Sequence, residues 1–366
     1  MNRPRSHRAV PALLLATLLG LLAACGTTEA DDGDVGSGDT SDESTDGETS
    51  DAQGDGASEA TGAGCDEDDT ATSTEAVTLT DSFGRTVELD APAERVAVLE
   101  WQQVEDVLSL CITPVAVADV EGYGTWVTAE ALPDGVEDVG GRGEPNLDAL
   151  FATDPDLVII EAYTAEDEII GQLEEFGVPV LATQGADAAD PIQNMLDTFS
   201  LIAEATGRTE RADVVIEEFE AAVAEAAEAV DGAAADLPTS EFVYLDGWIE
   251  GGNVALRPFG QGSLVGEVGE ALGLTNAWTG EVDEAYGLGQ TDVEGMTAVG
   301  DAMILYTGTV DPEGDVIEEL LENPIWASLP AVEAGNVHAF PVGTWTFGGP
   351  RSTQQIIDAY VDVITG

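Results

Sequence analysis

The segment from 190 to 230 constrains the fold most, because it predicts two consecutive helices between two runs of alternating strands and helices. Asp190 and Pro191 are typical of a helix N-cap and first helical position, and Gly207 is typical of a helix end. A longer helix follows from 208 to 230, with one apolar stripe on an otherwise acidic surface. At 1.5 Å per residue it would measure roughly 35 Å, enough to bridge two domains. A long helix inside one large α/β domain is the alternative.

Strands and helices alternate on both sides of this segment. Eight apolar strands are predicted, at 95–99, 114–118, 156–160, 178–182, 242–245, 253–256, 302–306 and 337–341. Helical patterns separate most of them, and a predicted hairpin at 77–89 comes before them. This alternation with short connections predicts mainly parallel sheets that are covered by helices on both faces.

We therefore predict an α/β protein with two Rossmann-like lobes of mainly parallel sheet, joined by a long rigid helix. Ligands of such sheets bind outside the carboxyl ends of the strands, so the site is expected in the cleft between the lobes. A continuous helix resists bending, and closure on the ligand should therefore be small. The predicted segments are a signal peptide at 1–24, a lipid-anchored tether at 25–74, a first lobe at 75–190, a helical linker at 191–236 and a second lobe at 237–366.

The first residues are typical of an export signal. Three arginines precede an apolar run at 12–22, which is too short to span a membrane as a stable helix. The run ends in Leu-Ala-Ala-Cys25, which resembles a bacterial lipobox and implies cleavage before Cys25 and lipidation of its sulfur. An ordinary secretory signal with a chance cysteine is the alternative. We expect an exported protein on the external face of the cell membrane, held there by its lipid alone.

The segment from 26 to 74 contains sixteen acidic residues and no basic residue. It has no apolar periodicity, so we predict a disordered, solvated tether. The acidic run at 66–69 leaves a metal-binding role open. The whole chain has a formal net charge of −63, and all ten of its basic residues are arginines. Such a charge repels nucleic acid and anionic lipid surfaces, so neither is an expected partner. We also expect a monomer.

The chain contains three cysteines, and their expected state depends on whether the protein is exported to an oxidising environment. With Cys25 assigned to lipid, Cys65 and Cys111 remain as a pair in an oxidising environment, and we favour a disulfide between the tether and the end of the first helix. A buried free Cys111 with an exposed Cys65 is the alternative.

Several quoted stretches together resemble a known family. They are "TLTDSFGRTVEL", "ERVAVLEWQQVEDVLSLCITPVAVAD", "GGRGEPNLDALFATDPDLVII", "YGLGQTDVEGM" and "FGGPRSTQQIID". From about Val77 onward the chain is similar to the solute-binding lipoproteins of ABC importers for iron–siderophore complexes, a group that also contains haem and vitamin B12 binders. The resemblance implies capture of a ferric siderophore and its delivery to an ABC permease dimer with its ATPase.

The same resemblance implies two docking residues. In the family one carboxylate per lobe docks onto permease arginines, and the matching positions here are Asp148 and Glu294. The family has Glu where this chain has Asp148, which shortens the side chain by one methylene. A merely solvated charge is the alternative for both positions.

Ligand contacts are expected from aromatic and arginine residues in the predicted strand-end loops. Aromatic walls suit a bulky, partly apolar chelate, and arginine can pair with its oxygens. Local packing is the alternative for each aromatic residue, and an ordinary ion pair is the alternative for each arginine. Arg208 and Arg211 are expected on the exposed linker helix. The candidates are Trp101, Tyr123, Trp126, Arg142, Trp248, Arg257, Tyr286 and Trp345.

Two rival functions rest on other chemistry. A receptor for bare Zn²⁺ or Mn²⁺ would use histidines, and only His338 remains after the export signal. An enzyme would need a nucleophile beside a base or a phosphate-binding glycine loop, and neither pattern is present in the sequence. We therefore expect no catalytic residues, no resident metal and no cofactor, the ligand itself being an Fe(III) chelate.

Overall fold

The computed structural model describes residue 62 and residues 64–250, 253–308 and 316–366. The predicted signal peptide, Cys25 and most of the predicted tether lie outside the described residues. Among the helices of the described part, none combines the length and apolar character needed to cross a membrane.

The first lobe contains a five-stranded parallel sheet with the order β5-β4-β3-β8-β9. Along β3, Val96 and Val98 pack into one apolar cluster and Ala97 into another, because successive side chains point to opposite faces. The predicted parallel sheet with both faces covered is therefore confirmed. The elements are β1 (Val77–Thr80), β2 (Thr86–Leu89), β3 (Val96–Val98), α1 (Trp101–Ser109), β4 (Ala116–Val117), α2 (Val120–Trp126), β5 (Glu137–Asp138), β6 (Gly140–Gly141), β7 (Glu144–Pro145), α3 (Leu147–Ala152), β8 (Leu157–Ala162), α4 (Glu168–Glu174) and β9 (Val180–Gln184).

One predicted loop of this lobe is a helix. The glycine-rich stretch around Tyr123 forms α2, which the sequence pattern assigned to a loop. Asp119 accepts a hydrogen bond from the backbone N–H of Gly122 at 3.1 Å and so caps the first turn. Tyr123 is fully buried, and its hydroxyl donates to the Glu130 carbonyl at 2.8 Å. The cap and the buried ring outweigh the low helix propensity of the two glycines.

The two helices between the lobes are present as predicted. They are α5 (Pro191–Thr206) and α6 (Thr209–Ala233), separated by Gly207 in the left-handed region at φ 71°. The apolar stripe of α6 begins in the core of the first lobe with Val215 and continues into the core of the second lobe with Phe219 and Val230. With 25 residues, α6 is roughly 37 Å long. One continuous helix therefore belongs to both cores.

The expectation that Arg208 and Arg211 are exposed is wrong, since both are more than nine-tenths buried. Arg208 donates from Nε to the Leu110 carbonyl at 2.9 Å and forms an ion pair with Asp68. Arg211 donates from Nε to the Ser109 carbonyl at 3.1 Å. The last carbonyls of a helix lack partners within the helix, and these guanidinium groups satisfy them at the end of α1. The disulfide predicted between Cys65 and Cys111 is present beside them.

The second lobe contains a mixed five-stranded sheet. Its main path is β11-β10-β13-β14, with β12 beside β10, and only the β10–β11 pair is antiparallel. Two 3₁₀ helices lie in this lobe, the first at Gly295–Val299 and the second at Trp326–Ser328. The other elements are β10 (Glu241–Glu250), β11 (Asn253–Phe259), α7 (Leu264–Ala271), β12 (Thr275–Asn276), β13 (Met303–Thr307), α8 (Val316–Leu320), α9 (Pro330–Glu333), β14 (Val337–Phe340) and α10 (Pro350–Thr365).

A buried polar contact joins the lobes where α1 meets the start of α10. Glu105 accepts a hydrogen bond from the backbone N–H of Ser352 at 2.8 Å and another from its hydroxyl. A side chain on Gly348 or Gly349 would collide with Glu105 or Asp106, so glycine is required for this approach. Burial raises the pKa of Glu105 to about 7 and raises the pKa of Asp106 as well. A carboxyl of the first lobe thus caps a helix of the second.

Candidate functional site

A cleft of about 430 Å³ lies between the two lobes. The first lobe contributes residues that follow the carboxyl ends of β3, β8 and β9, together with the β6–β7 turn. The second lobe contributes β11, the loop between β12 and the first 3₁₀ helix, and the loop between β14 and α10. This is the location that the strand topology predicts for a ligand. The lining residues are Glu100, Gln102, Arg142, Glu161, Tyr163, Gly185, Arg257, Tyr286, Leu288, Trp345 and Phe347.

Arg142 lines the cleft on the side of the first lobe. The β6–β7 turn carries it over the ring of Trp101, with the guanidinium carbon 3.8 Å from the ring centroid. The same guanidinium is ion-paired with Glu100, the N-cap residue of α1. Trp101 is only 4% exposed, so Arg142 separates it from the cleft and presents the free edge of its own guanidinium instead.

Arg257 occupies the matching position on the second lobe. It lies on β11 directly opposite Asp246 of β10, and its Nε donates to the Asp246 carboxylate at 2.9 Å. The guanidinium also lies 5.5 Å from the ring centroid of Phe347 and 5.9 Å from that of Trp248. Each cleft arginine is therefore held by one carboxylate and by aromatic rings of its own lobe.

A hydrogen bond crosses the cleft between Tyr286 and Glu161. The Tyr286 hydroxyl donates to Glu161 Oε1 at 2.7 Å. Burial raises the pKa of Glu161, and the nearby Glu100 carboxylate raises it further. Burial and the Glu161 charge also raise the pKa of Tyr286, which keeps the phenol protonated and able to donate. Gly185 has no side chain that would overlap the Glu161 carboxyl, which allows the close approach.

Aromatic rings form a continuous row that runs from the second lobe to Trp101 of the first lobe. The ring centroids are 5.7 Å apart for Tyr286 and Phe347, 5.4 Å for Trp345 and Phe347, and 5.0 Å for Trp101 and Trp345. Beneath the row lies a space of only about 20 Å³, which has room for a single water molecule. The floor of the cleft is therefore packed, and a bulky ligand would rest on the rings.

The structure brings together half of the predicted ligand residues. Arg142, Arg257, Tyr286 and Trp345 line the cleft. Trp101 supports Arg142 from behind, and Trp248 is 41% exposed beside Arg257.

Two predicted ligand residues lie elsewhere. Tyr123 is buried in the first core, where its hydroxyl is bonded to Glu130, and Trp126 is 43% exposed at the end of α2. Neither of them lines the cleft. Both were assigned from a loop that is in fact a helix.

Sequence reasoning missed the acidic side of the cleft. Glu100 and Glu161 lie at the ends of predicted strands, which is the criterion that selected Trp101. The chain contains 73 acidic residues, so a carboxylate at a strand end does not by itself indicate a binding site. Phe347 lies just before the glycine pair that packs on α1, and its position next to Trp345 was the available signal.

The two candidate docking residues are exposed on separate lobes. Asp148 lies in the first turn of α3, where Asn146 accepts a hydrogen bond from Ala149 N at 3.1 Å, and Glu294 precedes the first 3₁₀ helix. Their role in docking stays a prediction. Within the described ranges, no group of three or more His, Cys, Asp and Glu side chains is arranged to hold a metal ion.

Comparison with known proteins gives consistent matches. A family model described as "Periplasmic binding protein" matches residues 96–341. The iron(3+)-hydroxamate-binding protein FhuD of Escherichia coli (strain K12) is 27% identical over 274 residues, which are 74% of this chain and 87% of that protein. The Fe(3+)-citrate-binding protein YfmC of Bacillus subtilis (strain 168) is 28% identical over 276 residues, which are 75% of this chain and 81% of that protein.

A solved structure extends the match to three dimensions. The Fe³⁺–Desferal-bound siderophore-binding protein FhuD from Vibrio cholerae aligns with a TM-score of 0.63 at 25% sequence identity. The alignment covers 74% of this chain and 97% of that protein. The likeness therefore includes nearly the whole of the solved relative.

Proposed function

The chain belongs to the periplasmic binding protein family, and from that premise we propose that it is the solute-binding component of an ABC importer for ferric siderophores. It captures the chelate outside the cytoplasm and delivers it to the permease. The relatives that it resembles are named for binding iron(3+)-hydroxamate and Fe(3+)-citrate, which supports an iron chelate as the ligand.

The observation that carries this proposal is the interlobe cleft. Its volume of about 430 Å³ lies within the roughly 300–1,000 Å³ that is usual for small-molecule sites. An aromatic row forms one wall, and a guanidinium group faces the opening from each lobe. Aromatic faces suit the apolar arms of a chelate, and guanidinium N–H groups suit its iron-coordinating oxygens.

Delivery and anchoring complete the proposal. Asp148 and Glu294 are exposed on separate lobes and would each meet an arginine of the permease dimer. Lipidation of Cys25, after removal of 1–24, would hold the protein at the external face of the membrane. Replacing both docking residues by Ala should abolish uptake while leaving affinity for the chelate unchanged, whereas Cys25→Ser should release the protein from the membrane fraction.

A ligand panel tests the binding function directly. The full mature chain carrying Cys25→Ser would be titrated with ferric hydroxamate, catecholate and citrate chelates, with haem and with cobalamin. Saturable quenching of tryptophan fluorescence by a ferric chelate, with a one-to-one complex in native mass spectrometry, is the expected result. Binding of haem or cobalamin alone would favour the other ligands of the resembled family, and chemical turnover of a ligand would favour an enzyme.

A further inference from the structure

Both arginines of the cleft already have a carboxylate partner within their own lobe. Arg142 is paired with Glu100, and Arg257 is paired with Asp246, which faces it across the β10–β11 ladder. The guanidinium groups are about one-third exposed, so they reach the cleft without carrying an uncompensated positive charge. Each of the two arginines is therefore one half of an electrically neutral ion pair.

A third carboxylate lies between these pairs. Glu161 lines the cleft and accepts a hydrogen bond from the neutral phenol of Tyr286. The site thus sets two guanidinium groups against three carboxylates. Its net charge is zero when Glu161 holds a proton and negative when it does not.

This balance acts differently on chelates of different charge. Three catecholates with two negative charges each leave Fe³⁺ in a strongly anionic complex, whereas three singly charged hydroxamates neutralise the iron. An anionic complex would have to draw an arginine away from its carboxylate and leave that carboxylate poorly paired, which is costly in a partly buried site. A neutral complex needs only the outward N–H groups of the paired guanidinium groups, which remain available as donors.

The charge of the whole protein acts in the same direction. The chain carries a formal net charge of −63, so the potential around the cleft entrance repels anions before they reach it. A cationic arm on a chelate would be attracted, and Glu161 is the carboxylate that such an arm would meet inside the cleft.

From this charge balance we infer that the cleft selects neutral or positively charged ferric chelates of the trihydroxamate class and discriminates against anionic tris-catecholates. The inference rests on the proposed function and adds a ligand class to it. Glu161 is the residue that sets the preference, since it is the lining carboxylate paired with a neutral group and not with an arginine.

The test compares three probes on the full mature chain carrying Cys25→Ser. They are a linear ferric trihydroxamate with a free ammonium group, an uncharged cyclic ferric trihydroxamate, and a ferric tris-catecholate. At near-physiological salt, the dissociation constant of the tris-catecholate should be at least about tenfold higher than that of either trihydroxamate. The gap should narrow at high salt, because screening reduces the long-range part of the repulsion.

A charge-neutralising variant locates the effect. Glu161→Gln keeps an oxygen that can accept from Tyr286 but removes one negative charge from the cleft. Relative to the uncharged trihydroxamate, affinity for the tris-catecholate should rise about three- to tenfold. The matched control is Glu175→Gln, which removes the same charge from an exposed residue at the end of α4, at the opposite edge of the sheet from the cleft. The control should leave the ratio unchanged.

The outcomes separate the two proposals. Binding of all three probes with the tris-catecholate tightest would overturn the charge preference and leave the proposed function standing. A Glu175→Gln effect equal to that of Glu161→Gln would also overturn it, since net charge and not the cleft would then set the ratio. Failure of every ferric chelate to bind, while haem or cobalamin binds, would overturn the proposed function and the preference together.

Discussion

The two arginines of the cleft and the two at the start of α6 differ in burial and in the kind of group to which they donate hydrogen bonds. Arg142 and Arg257 are about one-third exposed, pair with carboxylates and lie near aromatic rings. Arg208 and Arg211 are buried and donate to backbone carbonyls at the end of α1. A carbonyl of the main chain cannot move to another partner, whereas a carboxylate pair at a surface can share its donors with a ligand. The contacts to main-chain carbonyls stabilise the fold, whereas we propose that the partly exposed carboxylate pairs contribute to recognition of the ligand.

The largest expected effect is on stability at the start of α6. Arg208→Met should lower the free energy of unfolding by about 3–5 kcal/mol, because it removes the ion-pair partner of the partly buried Asp68 and the donor to the buried Leu110 carbonyl. Arg142→Met is the control and should cost at most about 1 kcal/mol, as its ion pair is partly exposed. Thermal or urea unfolding measures both. Equal losses in the two variants would remove the distinction between the two pairs of arginines.

A pH titration examines a buried contact that contains no arginine. The pKa of Glu105 is about 7 in the folded protein, against about 4.5 as its ordinary value. The folded state therefore holds a proton that the unfolded chain releases. Stability should be greatest below about pH 4.5 and fall as the pH rises to about 7, by on the order of 3 kcal/mol from this group. The raised pKa of Asp106 acts with the same sign.

The variant Glu105→Gln tests the source of that pH dependence. It retains an oxygen that can accept from the Ser352 N–H but cannot ionise, so the decline in unfolding free energy between pH 4.5 and 7 should become shallower. Urea unfolding at a series of pH values gives the slope. An unchanged slope would assign the effect to other carboxyl groups.

Removing a cleft arginine should affect binding more than folding. Arg257→Ala should weaken binding of a ferric trihydroxamate by about 1.5–3 kcal/mol, the range for a hydrogen bond to a charged group. Arg95→Ala is the matched control, because Arg95 is exposed and bonded to the carbonyls of Asp154 and Thr153 at the opposite edge of its sheet. Fluorescence titration should show no change in the control. A similar loss in both would indicate a general effect of charge.

The smallest expected effect is the change in shape on binding. Because α6 is continuous and belongs to both cores, bending between the lobes would break its backbone hydrogen bonds. Small-angle scattering with and without a saturating chelate should show little change in the radius of gyration. A decrease of the size that accompanies a wide hinge closure would show that the lobes rotate about another segment.

The fold was largely predictable because its signals are local. Asp190, Pro191 and Gly207 marked a helix by cap chemistry, and the apolar stripe of α6 required no knowledge of its partners. The α2 helix was missed, since its stability comes from the buried Tyr123 and a cap by Asp119. The burial of Arg208 was missed for a similar reason, because the carbonyl that it satisfies is almost a hundred residues away in sequence.

The site was predictable in place and only partly in chemistry. Strand ends located the cleft, and rarity drew attention to Arg142 and Arg257. Their partners are carboxylates in a chain with 73 of them, and no sequence pattern distinguishes Glu100 or Asp246 from the rest. Pairing across a β ladder or between a turn and a helix start is a property of the assembled lobes.

The Cys65–Cys111 disulfide determines how a mechanical pull on the preceding chain would enter the fold. The two cysteines are 46 positions apart in sequence. Tension that arrives at Cys65 passes through the sulfur atoms to Cys111 and bypasses the residues between them. The β1–β2 hairpin and α1 are therefore not in series with the pull. The force is delivered next to Arg208, where α6 begins. A pull from the N-terminal side would thus reach the fold at the end of α1, away from the start of that helix, where Glu100 and Gln102 line the cleft.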